Sequence, residues 1–139
     1  MAVIWDDVQR ILKQTKTIAV VGLSDKPDRD SYQIASYLQQ QGYRIIPVNP
    51  RVNEVLGEKA YPSLRDVPDP VDVVDIFRRS EDVPPIVEDA IAIGAKVVWM
   101  QAGIVNEAAA ARARAAGLAV IMDACMRSAH RTLRASGRI

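Results

Sequence analysis

Residues 17–42 read TIAVVGLSDKPDRDSYQIASYLQQQG. The apolar run 18–21 ends in Gly22, a polar loop follows, and a helical pattern opens at Ser31 and stops at Gly42. A short apolar run closed by glycine predicts a buried strand over 17–22, and the spacing beyond it predicts a helix over 31–41 capped by Ser31. Strand, glycine turn and helix are the first half of a nucleotide-binding βαβ unit. The loop departs from the dinucleotide fingerprint, with one glycine in place of three and with Ser24, Lys26 and Arg29 in the gap.

The same alternation continues along the chain. Val3, Ile4, Val8, Ile11 and Leu12 predict an opening helix over about 3–14. Further strands are expected over 43–49, 71–77, 95–100 and 118–122. Pro47 removes a ladder donor from the first of these, strand two of the chain, and predicts a local irregularity. Residues 50–70 hold four prolines and read as a long connection with a helical turn near 63–67. A helix is expected after Ser80, with Pro84 and Pro85 in its first turn and its end at Gly94. Another runs from Asn106 to Gly117, and a last one over 124–134. Strands alternating with helices imply right-handed crossovers and a parallel sheet. The fold class expected is α/β, a Rossmann-like doubly wound sheet of five strands in the order 3-2-1-4-5. The chain reads as one unit over 1–139, with a loose tail at 135–139.

The totals narrow the function. The chain has 139 residues, 49% of them hydrophobic and 25% charged, the profile of a globular fold. Eighteen basic against 17 acidic residues leave a net charge of +1, which argues against broad binding of nucleic acid or an anionic membrane. No apolar run approaches the roughly 20 residues of a membrane span. Asp6 and Asp7 replace the basic start of a signal peptide. The one cysteine, Cys125, leaves no internal disulfide and fits a reducing compartment, so a cytoplasmic location is expected. One His and one Cys do not make the usual zinc site, and no metal site is expected.

In an open α/β sheet the ligand binds at the carboxyl ends of the strands, beside the point where the winding reverses. The loops after strands one to four therefore hold the candidates. Gly22, Ser24 and Lys26 follow strand one; they suit a phosphate or form a solvated loop before a helix. Asn49, Pro50 and Arg51 follow strand two. An enzyme using NAD wants a carboxylate there, and Arg51 suits a ligand with an extra phosphate on its ribose, though Asn-Pro also marks a turn. Phe77, Arg78 and Arg79 follow strand three, where a ring and two guanidinium groups fit a purine and a phosphate, or a core residue and solvated charge. Gln101, Ala102 and Gly103 follow strand four, thin enough for a flat ligand to cross or for an ordinary turn. Cys125 and His130 are five apart on one helix and make no catalytic pair. Cys125 is expected to pack as a small hydrophobe. His130 is expected at the surface or a helix end. Asp72 and Asp75 share a strand, one at the sheet's edge or near the ligand loop.

Four motifs in order, GLSDKPDR-x-SY, GYRIIPVNP, DVVDIFRRS and WMQAGI, resemble the small bacterial and archaeal CoA-binding proteins, relatives of the CoA-binding domain of succinyl-CoA synthetase. The resemblance covers about residues 4–133. It implies a Rossmann-like fold that holds coenzyme A, or an acyl-CoA, at the strand ends without the three-glycine fingerprint. It maps Gly22, Ser24 and Lys26, with Tyr32 closing the motif, to the phosphate loop. It maps Asn49, Pro50 and Arg51 to the second strand end, Phe77, Arg78 and Arg79 to the adenine side, and Gln101, Ala102 and Gly103 to the far wall. Asp30 stands where the family often has proline, and Ala124 and Ala129 where it often has arginine and glutamate. The synthetase's ligase domains lie outside the resemblance, which implies binding without catalysis. Two other readings stay open: an oxidoreductase using NADP, favoured by Arg51, and an interaction module with a vestigial nucleotide site.

Overall fold

The structure is a computed structural model that describes residues 4–139; Val3, placed in the expected opening helix, lies outside them. The helical spacing of Val8, Ile11 and Leu12 gives α1 (Trp5–Gln14), with those three residues buried. β1 (Thr17–Val21), α2 (Asp30–Gln40) and β2 (Arg44–Val48) follow. The long connection holds a small antiparallel hairpin, β3 (Glu54–Val55) with β4 (Glu58–Lys59), and a 3-10 turn, Leu64–Asp66, inside the span expected to turn. β5 (Val73–Ile76) leads through a 3-10 turn, Ser80–Asp82, into α3 (Val83–Ala92). Then come β6 (Val97–Met100), α4 (Glu107–Ala115), β7 (Ala119–Ile121) and α5 (Met126–Ala135).

Five strands form one parallel sheet in the order β2-β1-β5-β6-β7. The doubly wound α/β class expected from the alternation is thus the fold. The order expected is corrected: counting only these five strands it is 2-1-3-4-5, not 3-2-1-4-5. The connection from β2 returns across β1 and inserts β5 on its far side. The winding therefore reverses between β1 and β5, and the switch point lies between strands one and three rather than one and four. β2 becomes an edge strand, which explains Pro47. A proline on an edge costs no ladder bond on its outer side. The pairing runs without interruption from Thr17 with Arg44 to Val21 with Val48, so the expected irregularity is absent.

Two cores flank the sheet. On one face α1, α2 and α5 cover Ile18, Val20, Val73 and Trp99. On the other, α3, α4 and the 3-10 turn at Leu64 cover Ala19, Val74, Val98 and Met100. Adjacent strand residues alternate between the faces, so the central strands are apolar on both faces but for Thr17 at the start of β1 and Asp75 in β5. The tail expected to be loose is tied to α1: Gln9 Nε2 donates to the Arg138 carbonyl at 2.8 Å, and Arg138 pairs with Asp6 at 2.9 Å. His130 is buried rather than at the surface. Its Nδ1 lies 2.7 Å from Tyr37 Oη, and the rings of Tyr37 and Tyr43 meet it edge-on.

Candidate functional site

The carboxyl ends of the strands meet around Gly22. Its φ of +89° is open to glycine, and its N–H donates to the Val48 carbonyl at 2.8 Å. A Cβ built there would stand 2.7 Å from the Phe77 carbonyl oxygen and 3.3 Å from Arg78 Nε. The loop after β1 thus passes directly against the loop after β5, as the corrected strand order requires.

Around this crossing lie three depressions. The first, about 350 Å³, is on the α3 side and is lined by Val48, Pro50, Leu64, Arg78 and Ile86 among others. The second, about 470 Å³, lies between the loop after β1 and the start of α2 and is lined by Gly22, Ser24, Asp28, Arg29, Asp30, Ser31 and Phe77. The third, about 510 Å³, opens over the ends of β5 and β6 and the start of α5. Its walls include Ile34, Phe77, Arg78, Gln101, Ala102, Cys125 and Arg127. Phe77 and Arg78 each border two of the three.

The loop after β1 is held by its serines. Ser31 is not the N-cap of α2; it lies in the first turn, and its Oγ accepts the Ser24 N–H at 3.0 Å. Ser24 Oγ accepts the Lys26 N–H at 3.1 Å. Lys26 itself is exposed and lines none of the three depressions. Tyr32 is half-buried against the core under this loop.

At the second strand end the residues divide. Asn49 is buried with both ends of its amide committed: Nδ2 donates to the Leu23 carbonyl at 3.0 Å, and Oδ1 accepts the Arg51 N–H at 3.0 Å. It locks the first loop to the second. Pro50 borders the first depression, and Arg51 is exposed beside it.

The two arginines after β5 also differ. Arg79 is engaged by Glu81 and Asp82, each at 3.3 Å. Arg78 makes no ion pair among the described residues and lines two depressions, as Lys26, Arg29, Arg51 and Arg127 likewise make none. Phe77 is half-buried, packed on the core with part of the ring forming a wall.

At the fourth strand end Gln101 is buried, and its Oε1 accepts the Met126 N–H at 3.0 Å, which ties the start of α5 to β6. Ala102 lines the third depression, whereas Gly103 faces Asp123, donating its N–H to Oδ1 at 2.7 Å. Asp123 adopts a φ of +57° to make that contact. Ser80 Oγ accepts the Val105 N–H at 3.0 Å, and the Ser80 carbonyl accepts from Asn106 Nδ2 at 2.9 Å, so the third and fourth loops are also joined.

In the third depression Ile34, Cys125 and Arg127 lie outside the four motifs. Cys125, expected to pack as a small hydrophobe, does pack against the core; as the half-buried residue just before α5 it also faces the third depression. Burial pushes its thiol up, but hydrogen bonds from Ser128, Gln101 and the Arg127 N–H outweigh this and hold it below the ordinary thiol value. Asp75 lies beneath, fully buried, with neither carboxyl oxygen hydrogen-bonded. Burial, and then the charge of Cys125, push Asp75 well above the ordinary carboxylate range.

The comparisons with known proteins agree with this architecture. The family model described as CoA binding domain matches residues 16–131. YneT of Bacillus subtilis, an uncharacterized protein, is 47% identical over 124 residues, 89% of this chain and 92% of that protein. A hypothetical protein from Pyrococcus horikoshii OT3 superposes with a TM-score of 0.92 at 43% identity, over 96% of this chain and 94% of its own. The ADP-forming acetate–CoA ligase II of Archaeoglobus fulgidus is 35% identical over 89 residues; these are 63% of this chain but 13% of the ligase, of which the chain spans only a small part. With residues 16–131, most of its length, matched, the chain belongs to the CoA binding domain family.

Proposed function

We propose that the chain binds coenzyme A or an acyl derivative along the carboxyl edge of the sheet. The observation that carries this reading is the crossing at Gly22, where a bare backbone separates depressions on both faces and is bordered by the unpaired Arg78. An extended ligand with a flexible arm fits three contiguous depressions better than a compact one does. The diphosphate lies over Gly22, Ser24 and Ser31, where the opening turn of α2 presents N–H groups to an anion. Lys26 and Arg29 supply mobile positive charge from the loop. The adenosine half lies toward Pro50 and Arg78, with Arg51 and Arg78 in reach of a ribose phosphate. The pantetheine arm enters the third depression past Phe77 and Ala102. Arg79 and Asn49, already committed to protein partners, shape the loops. The ligase relatives' names support the choice of CoA, since the shared part of those enzymes is this fold.

Mass spectrometry of the denatured protein, and calorimetry with CoA and NADP, test the reading. CoA is expected to bind and NADP to fail; tight binding of NADP without CoA would overturn it. A ribose phosphate held by a charge-assisted contact is worth about 1.5–3 kcal/mol, so dephospho-CoA should bind about 10- to 150-fold more weakly than CoA. Equal affinities would remove the phosphate subsite.

A further inference from the structure

Two groups beside the third depression have no role in holding a nucleotide. Cys125 is half-buried in its wall, and Asp75 is fully buried with both carboxyl oxygens unpartnered. Asp75 and Phe77 are two apart on one extended segment, so they leave the same face of the sheet. Phe77 forms wall, and Asp75 lies one layer below it. Buried polar groups in native folds are nearly always paired, so a carboxyl with none is a feature that calls for a partner or a task. The Nε of Arg127, also on this wall, is a third buried polar atom without a partner.

We propose that Cys125 is a thiol–disulfide exchange centre that couples covalently to the sulfur of a bound CoA, beside the buried and unpartnered carboxyl of Asp75. This rests on the CoA-binding reading. The co-reactant is a disulfide of the ligand, such as CoA disulfide. The Cys125 thiolate attacks one sulfur of the reagent; the Cys125 Sγ–S bond forms as the reagent's S–S bond breaks. One CoA remains attached, and the other departs as a thiolate that takes a proton from water. Cys125 is oxidised and the departing sulfur is reduced, so no other oxidant is required. A second thiol reverses the step.

The surroundings favour it. A thiolate is the attacking species, and the hydrogen bonds from Ser128, Gln101 and the Arg127 N–H stabilise that form. Arg78, Arg79 and Arg127 border the same depression, against one carboxylate, Asp30. Burial, and then the charge of Cys125, push Asp75 well above the ordinary carboxylate range, which favours its uncharged form near the sulfur.

The test is incubation of the whole protein with CoA disulfide, followed by intact mass. Cys125 is the one cysteine of the chain, so an increase by one CoA identifies the site without a variant. Binding brings the reagent to an effective concentration in the mM range. At about 10 μM reagent the adduct should therefore form about 100-fold faster than with glutathione disulfide. Acetyl-CoA, whose sulfur is capped, should slow it, and Cys125→Ser should show none. Asp75→Asn keeps a neutral group in place and should retain the adduct. Equal rates with the two disulfides would reduce Cys125 to a generally reactive thiol and overturn the proposal. So would absence of an adduct when calorimetry shows CoA bound. Absence of both heat and adduct would overturn the binding reading and this one with it.

Discussion

Asp72 and Asp75 stand three residues apart, at the amino edge and in the heart of the sheet, and their surroundings are opposite. Asp72 Oδ2 accepts the N–H groups of Lys16 and Thr17 at 2.9 and 3.0 Å, and Oδ1 lies 3.3 Å from Lys96 Nζ. Asp75 has no partner for either oxygen. The difference follows from which edge each one faces. At the amino edge a carboxylate closes the backbone donors where α1 hands over to β1. Toward the carboxyl edge the Asp75 carboxyl and the Arg127 Nε are left without partners, the backbone is brought close at Gly22, and depressions open. One edge is built to hold the fold together and the other gives up stability for a site, a division expected of strained and unsatisfied groups near function.

The largest effect should come from filling the crossing. Gly22→Ala places a methyl group 2.7 Å from a backbone oxygen at a φ of +89°. That oxygen is main chain and cannot swing aside as a side chain would, so the loops must part. A loss of about 3 kcal/mol in urea unfolding is expected, together with loss of CoA binding. Unfolding within error of the parent would mean the close pass is not required.

The two aspartates test the comparison directly, because their pH dependences have opposite signs. For Asp72, burial alone would push the carboxyl up, but the hydrogen bonds from Lys16, Thr17 and Lys96 outweigh it and hold it below its ordinary value of 3.8. The unfolded chain then binds the proton more readily, so the contribution is present above that value and is lost as pH falls through the folded one. Asp72→Asn should cost about 2 kcal/mol at pH 7, and the gap should close in acid. For Asp75 the folded value lies well above 3.8, so the folded state keeps a proton that the unfolded chain gives up. Stability should fall by up to about 1.4 kcal/mol per pH unit as pH rises from about 4 toward that folded value. Asp75→Asn should abolish this slope. Parallel melting profiles for both variants against pH would break the distinction between the edges.

How far these features could be read from sequence depends on their range. Apolar runs such as 18–21 and 97–100 announce themselves because a strand covered on both faces has no polar positions. Their lateral order has no such local mark. The signal that was present is Pro47: an interior second strand would lose a ladder bond, so proline argued for an edge, and with it the order 2-1-3-4-5. The hairpin at Glu54–Val55 and Glu58–Lys59 is too short for any periodicity. The loops after the strands were legible as candidates because the fold class places ligands there. The choice within each loop was not. Arg78 and Arg79 are alike in sequence, and only the local turn Ser80–Asp82 brings carboxylates to Arg79 and leaves Arg78 toward the depressions. Asn49 reads as a ligand group or a turn, and its buried amide proves to be a brace. Asp75 is a polar residue in an apolar strand, visible as an oddity, but its depth is fixed by strands 20 residues or more away in sequence.

The arginine pair sharpens the view that unpaired charge at the carboxyl edge is kept for a ligand. Arg78→Ala should weaken CoA about tenfold, about 1.4 kcal/mol, with little change in the melting temperature of the free protein. Arg79→Ala should leave affinity within about twofold, since its charge is already met by Glu81 and Asp82. A larger loss at Arg79 would reverse the assignment.

The smallest effect concerns Asp30, where the two demands on this edge conflict in one residue. Its carboxylate opens α2 and borders the second and third depressions. As an acid in the first turn it favours the helix by about 0.3–1 kcal/mol. As a negative charge beside a diphosphate it opposes the ligand by a similar, salt-screened amount. Asp30→Asn should therefore lower stability slightly while raising CoA affinity about two- to fivefold at low ionic strength, a range that follows from the same 0.3–1 kcal/mol. Proline at this position would fix the backbone angle at the first turn of a helix without an acidic side chain, and should give the same gain in affinity with less loss of stability. The comparison is made by calorimetry and thermal melting at about 20 mM and 200 mM salt, across which the Debye length shortens about threefold. A gain in affinity that fades with salt would place the phosphates next to Asp30; an affinity unchanged at both salts would move the diphosphate away from the start of α2.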